Sequence, residues 1–406
     1  MNVIFIEPSF PDNQREFVRA LHATGASVIG IGERPVSYLS NEVKGWLADY
    51  VQVSSVVHEP SLLKAVRDLQ GRVWVDRLEV TVEAHIMAAA HVREASGIPG
   101  TSTRTAFLCR DKPAMKEVLR EAGIPCAQST RARTPDEARR FAEAVGYPLI
   151  VKPPAGAGAS ATYRVGDGAD LERVVQESGL AHGAPVAIEE FVEGHEGYLD
   201  TLTINGEVVH EFITHYYPNV LEAMRERWIS PQMVTTNRVD APGYQEVREL
   251  AHDVIRVLDI DTSATHMEWF YGPKGLRFSE IGCRPPGVGQ WDVYNAANEF
   301  DLYVEWANAI VHGQAVSRPS RRYAAGMIAL RPERDGTITG YSGVDEISQR
   351  YGACIVAADL PEPGTPTQPV ADGYMANAWM RVRHPDYDQL RRIMNEIGET
   401  VKVHAA

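Results

Sequence analysis

No stretch of this chain approaches the roughly 18 consecutive apolar residues that a membrane span requires, so no membrane partner is expected. Cysteine is scarce. Cys109, Cys126, Cys283 and Cys354 lie far apart and form no Cys-x-x-Cys pair, which offers no zinc site and suits a reducing, cytoplasmic setting. Positive charge is in deficit, 40 Lys and Arg against 54 Asp and Glu, giving a formal net charge of -14. That balance argues against a nucleic-acid partner and against an anionic membrane surface. The first strand-to-helix turn, Glu7-Pro8-Ser9-Phe10-Pro11-Asp12-Asn13, contains no glycine. The dinucleotide fingerprint is therefore missing, and a dehydrogenase loses its main support. The start of the chain, Met1-Asn2-Val3-Ile4-Phe5-Ile6, has no basic signal-peptide flank and reads as a strand. No Ser-His-Asp or Cys-His nucleophile arrangement and no internal repeat is evident.

What is present is an ordinary globular composition. Of 406 residues 44% are hydrophobic and 23% charged, a balance that fits two to three domains. Residues 1–105 alternate strand patterns (3–6, 27–31, 50–53, 73–75) with helical ones (14–23, 82–95), which implies a parallel sheet. Glu7, at the carboxyl end of the first strand, lines a substrate cleft or belongs to a structural turn. From 106 to 195 the pattern changes. Arg110-Asp111-Lys112 opens an amphipathic helix over 113–122, and a second helix covers 135–145. A strand then ends in Lys152, before a loop of tiny residues containing Gly156, Gly158 and Ser160. Small side chains expose backbone N–H groups that can wrap phosphate oxygens. An apolar strand from 186 runs into the acid-rich hinge Glu189-Glu190-Phe191-Val192-Glu193-Gly194-His195-Glu196. Asn205-Gly206 marks a hairpin turn. Residues 215–238, with His215, Tyr216, Tyr217 and Trp228, show no clean period and read as a long functional loop or lid. A helix over 242–258 leads to the stretch at 265–287, and 288–312, which includes Trp291, is mostly helical. The linker at 317–320 precedes a final segment with its own strands and a helix over 386–396.

The stretch at 265–287 organises the rest. Two arms rich in aromatic and β-favouring residues flank Gly272-Pro273-Lys274-Gly275. A three-residue turn pairs Gly272 with Leu276 and so sets Glu268 opposite Glu280. His266 then lies across from Gly282. Two opposed carboxylates repel unless a cation sits between them; the alternative is a solvated charged pair on an exposed sheet face. Oxygen-only ligation suits Mg²⁺, shared with substrate phosphates. Without the metal the pair is a local electrostatic liability. Arg284, leading into Pro285-Pro286-Gly287, adds the fixed cation that phosphoryl transfer asks for. Cys283 reads as a small packing residue.

Taken in this order, the pieces resemble the ATP-grasp superfamily, in particular its carboxylate–amine ligases. The resemblance implies an α/β and α+β multidomain protein. It would have a Rossmann-like N-terminal parallel domain (1–105), a small ATP-binding lobe (106–195), a large lobe with the metal and substrate site (196–316) and a C-terminal α+β lobe (317–406). By the same resemblance Lys112 and Lys152 bind the triphosphate of ATP. Glu189 meets the adenine amino group, the Val192 backbone pairs with adenine, and Glu196 holds the ribose hydroxyls. Glu268 and Glu280 ligate Mg²⁺, two ions or alternatively Mn²⁺, and Arg284 steadies an acyl phosphate. Members often carry Glu-x-Asn-x-Arg; here Gly282 stands in the Asn place. The implied reaction joins a small amino-acid-like carboxylate to an amine, releasing ADP and phosphate. A non-amine nucleophile, a kinase, or a non-catalytic nucleotide-binding module remain the alternatives. Glu7, His215, Tyr216, His266 and Trp291 are the candidates for substrate contact, with core packing the competing account of His266 and the aromatic residues. A cytoplasmic homodimer acting on small molecules is expected.

Overall fold

The computed structural model describes residues 1–155, 161–370 and 373–406. At the amino end a parallel sheet runs in the order Leu47–Gln52, Ser27–Gly32, Asn2–Ile6, Arg77–Glu79. Asn2–Ile6 is buried on both faces, as the apolar run Val3-Ile4-Phe5-Ile6 requires. Alternate side chains enter different cores. Ile4 and Ile6 pack under the helices Glu59–Gln70 and Ile86–Ser96. Val3 and Phe5 face Phe17 and, beyond it, Trp291, Tyr303 and Trp306. Two expectations shift here. The fourth strand is Arg77–Glu79 rather than 73–75, where Val75 is a core residue outside any strand. The helix expected from 82 begins as a tight turn, Glu83–His85, before Ile86–Ser96.

The next lobe is a four-stranded antiparallel sheet, ordered Ser129–Ala132, Val186–Glu190, Leu149–Lys152, Tyr163–Val165. The helix Lys112–Glu121 is capped by the Asp111 side chain, which accepts from the Ala114 N–H. An aspartate cap also complements the helix dipole. The helix Pro135–Val145 starts on Thr134 in the same way.

An eight-stranded antiparallel sheet forms the body. Its order is Gly275–Gly282, Ser263–Gly272, His195–Ile204, Glu207–Tyr217, Gln232–Thr235, Ala324–Leu330, Ala378–His384, Ile355–Asp359. Its strands come from both sides of residue 316, so the hydrogen-bonded ladder is continuous across the expected lobe border. The segment 215–238 is largely not a lid. Glu207–Tyr217 and Gln232–Thr235 pair with each other inside the sheet, leaving residues 218–231 with the short helix Val220–Ala223 as the connection. Gln232–Thr235 is buried at every position. A strand buried on both faces has no alternation to reveal it.

The central hairpin pairs Glu268 with Glu280 and His266 with Gly282. It arrives there through two one-residue differences that cancel. The turn is shorter than expected, Gly272 pairing with Gly275, and a bulge between Glu268 and Trp269 leaves Ser279 as the extra residue. Bulges re-aim side chains next to functional sites. Among the described residues no helix is long and apolar enough to cross a membrane.

Candidate active site

A cleft of about 1670 Å³ lies between the small lobe, the central sheet and the N-terminal domain. Its lining includes Lys112, Lys116, Lys152, Glu189, Val192, Glu196, Tyr216, His266, Glu268, Glu280 and Arg284. Gly156, Gly158 and Ser160 lie outside the described residues.

Three lysines converge on one wall. Lys116 Nζ donates to Glu189 Oε2 at 2.7 Å, and Lys152 Nζ lies 3.1 Å from the same oxygen. Lys112 Nζ is 3.3 Å and Lys152 Nζ 3.8 Å from Glu280 Oε2. Burial alone would raise the Glu189 carboxyl, but Lys116 and Lys152 hold it down at about 2. Glu280 is likewise lowered against its burial by Lys112 and Lys152. Lys116 was not anticipated. It lies four residues after Lys112 on one helix, and that spacing puts both on one face.

The opposite carboxylate has its own counter-charge. His266 Nδ1 bonds Asp200 Oδ1 at 2.7 Å, and its Nε2 lies 3.6 Å from Glu268 Oε1. The Tyr294 hydroxyl donates to the other Asp200 oxygen, and the Tyr216 hydroxyl donates to Glu268 at 3.4 Å. Burial opposes charging His266, yet Asp200 and Glu268 push it up to about 9. His266 is therefore cationic at neutral pH. The expected bare repulsion between Glu268 and Glu280 is thus corrected, since each acid faces cations of its own. Asp200 pairs across the sheet with His266, a juxtaposition that local sequence does not contain.

Glu196 accepts the Val220 N–H at 2.7 Å. Burial, with Glu268 nearby, raises its carboxyl to about 8, so it is largely protonated at pH 7. Arg284 Nε donates to Glu83 Oε2 at 2.8 Å, and one terminal nitrogen donates to Pro285 O, also at 2.8 Å. Glu83, unanticipated, comes from the turn Glu83–His85 of the N-terminal domain.

Three expected contacts fall elsewhere. Glu7 is buried away from the cleft lining, accepting the Glu33 N–H. Trp291 packs on Phe17 with ring centroids 5.1 Å apart and belongs to the core. His215 bonds His195 at 2.8 Å and the Tyr244 hydroxyl at 2.8 Å. His215 and Tyr216 are neighbours on one strand, so only one of them can face the cleft. It is Tyr216 that does so. Cys283 packs with Cys109, both free and buried, with sulfurs 2.7 Å apart.

Comparison with known proteins agrees with this architecture. Residues 117–300 match the family model of the ATP-grasp domain. An L-arginine-specific L-amino acid ligase of Bacillus subtilis is 26% identical over 313 residues, 75% of each chain. The crystal structure of an L-amino acid ligase from Bacillus licheniformis superposes with a TM-score of 0.78 at 18% identity, covering 100% of this chain and 98% of that one. The biotin carboxylase domain of Hydrogenobacter thermophilus 2-oxoglutarate carboxylase, solved as a dimer with MgADP, superposes at 0.69 with 18% identity, over 99% and 90% of the two chains. At those identities the structural matches speak for the fold. The family match places an ATP-grasp domain in this chain, and the curated relative and the structural neighbour that resemble it over most of their length are L-amino acid ligases.

Proposed function

We propose that the cleft binds ATP with Mg²⁺ and joins a small amino-acid-like carboxylate to an amine through an acyl phosphate. One observation carries this reading: Lys112, Lys116 and Lys152 converge on Glu189 and Glu280, directly beside the second acid, Glu268. Lysine is a point cation suited to phosphate oxygens. Glu189 has a second carboxylate oxygen, Oε1, that is buried with no hydrogen-bond partner among the described residues. That atom is an acceptor waiting for a donor, which supports its use for the adenine amino group. Val192 and Glu196 line the cleft further along, in keeping with adenine and ribose contacts.

Glu268 and Glu280 fit Mg²⁺, a hard cation that takes oxygen ligands and keeps phosphate and water in its shell; Mn²⁺ fits the same set. When bound, the metal neutralises phosphate charge as an anion attacks an anion. The chain's own groups do the rest. Lys112 and Lys152 hold the triphosphate. Arg284 stabilises the oxyanion formed when the amine attacks the acyl carbonyl. Tyr216 and His266 border the substrate side. The assignment of Gly156, Gly158 and Ser160 to phosphate binding rests on the sequence alone. The curated relative's amino-acid substrate and the dimeric neighbour support an amino-acid ligase working as a homodimer.

The test is a screen of amino-acid pairs with the full chain, ATP and Mg²⁺, read by phosphate release and product mass. ADP, phosphate and a dipeptide-like amide are expected. A stable phosphorylated product would make it a kinase. ATP binding by calorimetry without ADP release for any pair would make it a binding module.

A further inference from the structure

Arg284 is reached from a part of the chain with no local relation to it. Glu83 Oε2 accepts Arg284 Nε at 2.8 Å, and its other oxygen lies 3.4 Å from Arg110 Nε. Both partners are mostly buried, with side chains 19% and 15% exposed. Arg110 stands two residues before Lys112, and Lys112 lies beside Glu280. A single carboxylate of the N-terminal domain thus touches arginines from both the small lobe and the central hairpin.

The residue beneath this contact is Gly282. A Cβ built there would meet Glu83 Oε2 at 3.4 Å, Arg284 Cγ at 3.5 Å and Arg284 Nε at 3.8 Å. A methyl group fits at those distances. A longer side chain would have to displace either the carboxylate or the guanidinium. The backbone gives no other reason for glycine here, because Gly282 is absent from the positive-φ residues. The small residue is explained by what lies over it.

We infer that Glu83 is the positioning residue for Arg284, and that Gly282 is kept small so that the Glu83 carboxylate can reach it. Glu83 and Pro285 O fix the guanidinium at two points, Nε and one terminal nitrogen. A planar fork held in this way points in one direction. The turn Glu83–His85, which interrupts the expected helix, is the element that delivers the carboxylate. Through Glu83 the seating of the N-terminal domain sets the aim of an arginine in another lobe. The inference rests on the proposed role of Arg284 for its catalytic consequence, but the interlock itself does not.

Two measurements on the full chain separate these. The first needs no substrate. In protein labelled with ¹⁵N-arginine, the Arg284 Nε–H signal is assigned by its loss in Arg284→Lys. It should be displaced in Glu83→Gln and in Gly282→Asn, and should stay in place in Gly282→Ala. A signal insensitive to Glu83→Gln or to Gly282→Asn overturns the interlock, whatever the enzyme makes. The second uses the amino-acid pair found by the screen. Misaiming a catalytic group by about 1 Å costs about a hundredfold. Glu83→Ala should therefore lower kcat about a hundredfold, with KM for ATP within about twofold. Adding Glu83→Ala to Arg284→Ala should cost little more, because residues acting as a unit are not additive. Independent, multiplying losses would overturn positioning, as would a raised KM with unchanged kcat. If the Nε signal responds as expected while Arg284→Ala keeps full activity, the role given to Arg284 fails and the interlock stands.

Discussion

Lys116 is an instructive residue because it is so deeply buried, at 1% exposed. A lysine survives there only by facing Glu189 at 2.7 Å. Truncating one member of such a pair leaves a buried charge short of its partner. Glu189 keeps Lys152 at 3.1 Å, so Lys116→Met should destabilise the protein by about 1.5–3 kcal/mol, read as a shift in the urea midpoint. A loss below about 1 kcal/mol would show the pair to be wet and loosely held. Lys152, which also touches Glu280, should behave differently: Lys152→Ala should abolish phosphate release at saturating ATP while the fold survives. The titrating groups give a pH signature. Glu196 rises from its ordinary 4.5 to about 8, so the folded chain keeps a proton that the unfolded chain has lost over that window. Stability falls as pH rises across it. His266, raised from 6.5 to about 9, contributes fully below 6.5 and is lost through 9, with the same sign. The ligand-free protein should therefore melt at progressively lower temperature from about pH 6 to pH 9. Glu196→Gln should flatten that slope and raise KM for ATP more than it lowers kcat, as expected for uniform binding contacts. A slope unchanged in the variant would remove Glu196 as its source.

At the scale of the element, the hairpin and the hinge that crosses it are built together. A Cβ at Gly272 would lie 2.0 Å from Glu193 O, and one at Gly194, which has φ +155°, would lie 2.5 Å from Tyr271 O. Only glycine at both points lets residues 191–194 lie against the hairpin backbone, and this contact places Val192 at the cleft. Gly272→Ala should push the hinge outward. The expected readout is a KM for ATP raised about tenfold or more, with the melting temperature lowered by a few degrees; an unaltered KM would separate the hinge from nucleotide binding. These elements also show what the sequence can and cannot reveal. The pairing of Glu268 with Glu280 was legible because a hairpin is local and its turn residues are distinctive. The turn length and the Ser279 bulge were not, because a bulge is stabilised by its surroundings rather than by its own residues. Gln232–Thr235 is not legible for the related reason that complete burial erases periodicity. The ordering of Lys112, Lys152, Glu196, Glu268, Glu280 and Arg284 around one cleft could be read along the chain. Asp200 beside His266 and Glu83 beside Arg284 could not, since these contacts join positions 66 and 201 residues apart.

For the whole molecule, the cleft is a meeting of walls that carry opposite charge. The small lobe brings Lys112, Lys116 and Lys152, and the central sheet brings the carboxylates Glu268 and Glu280, on a chain whose overall charge is -14. Glu280 of the sheet faces Lys112 and Lys152 of the lobe, and under the proposed function a triphosphate and its metal replace those contacts. This arrangement fixes the behaviour of Glu280→Gln. Were the two hairpin acids a bare repulsive pair, removing one would stabilise the ligand-free protein. With Lys112 and Lys152 at 3.3 and 3.8 Å from Glu280, the loss should instead destabilise it, by about 1–2 kcal/mol given the partial exposure of the carboxylate. The second half of the prediction concerns the ligand. A ligand that binds only the folded chain stabilises it by about 2.7 kcal/mol at a hundred times its Kd. Wild type should therefore gain several degrees of melting temperature with Mg²⁺ and ATP. Glu280→Gln should gain little, and extra Mg²⁺ should not restore ligation. Melts of both proteins, with and without Mg²⁺–ATP, read each half separately. A variant that starts lower but gains as much as wild type would mark Glu280 as a counter-ion for lysine alone, with the metal held elsewhere in the cleft.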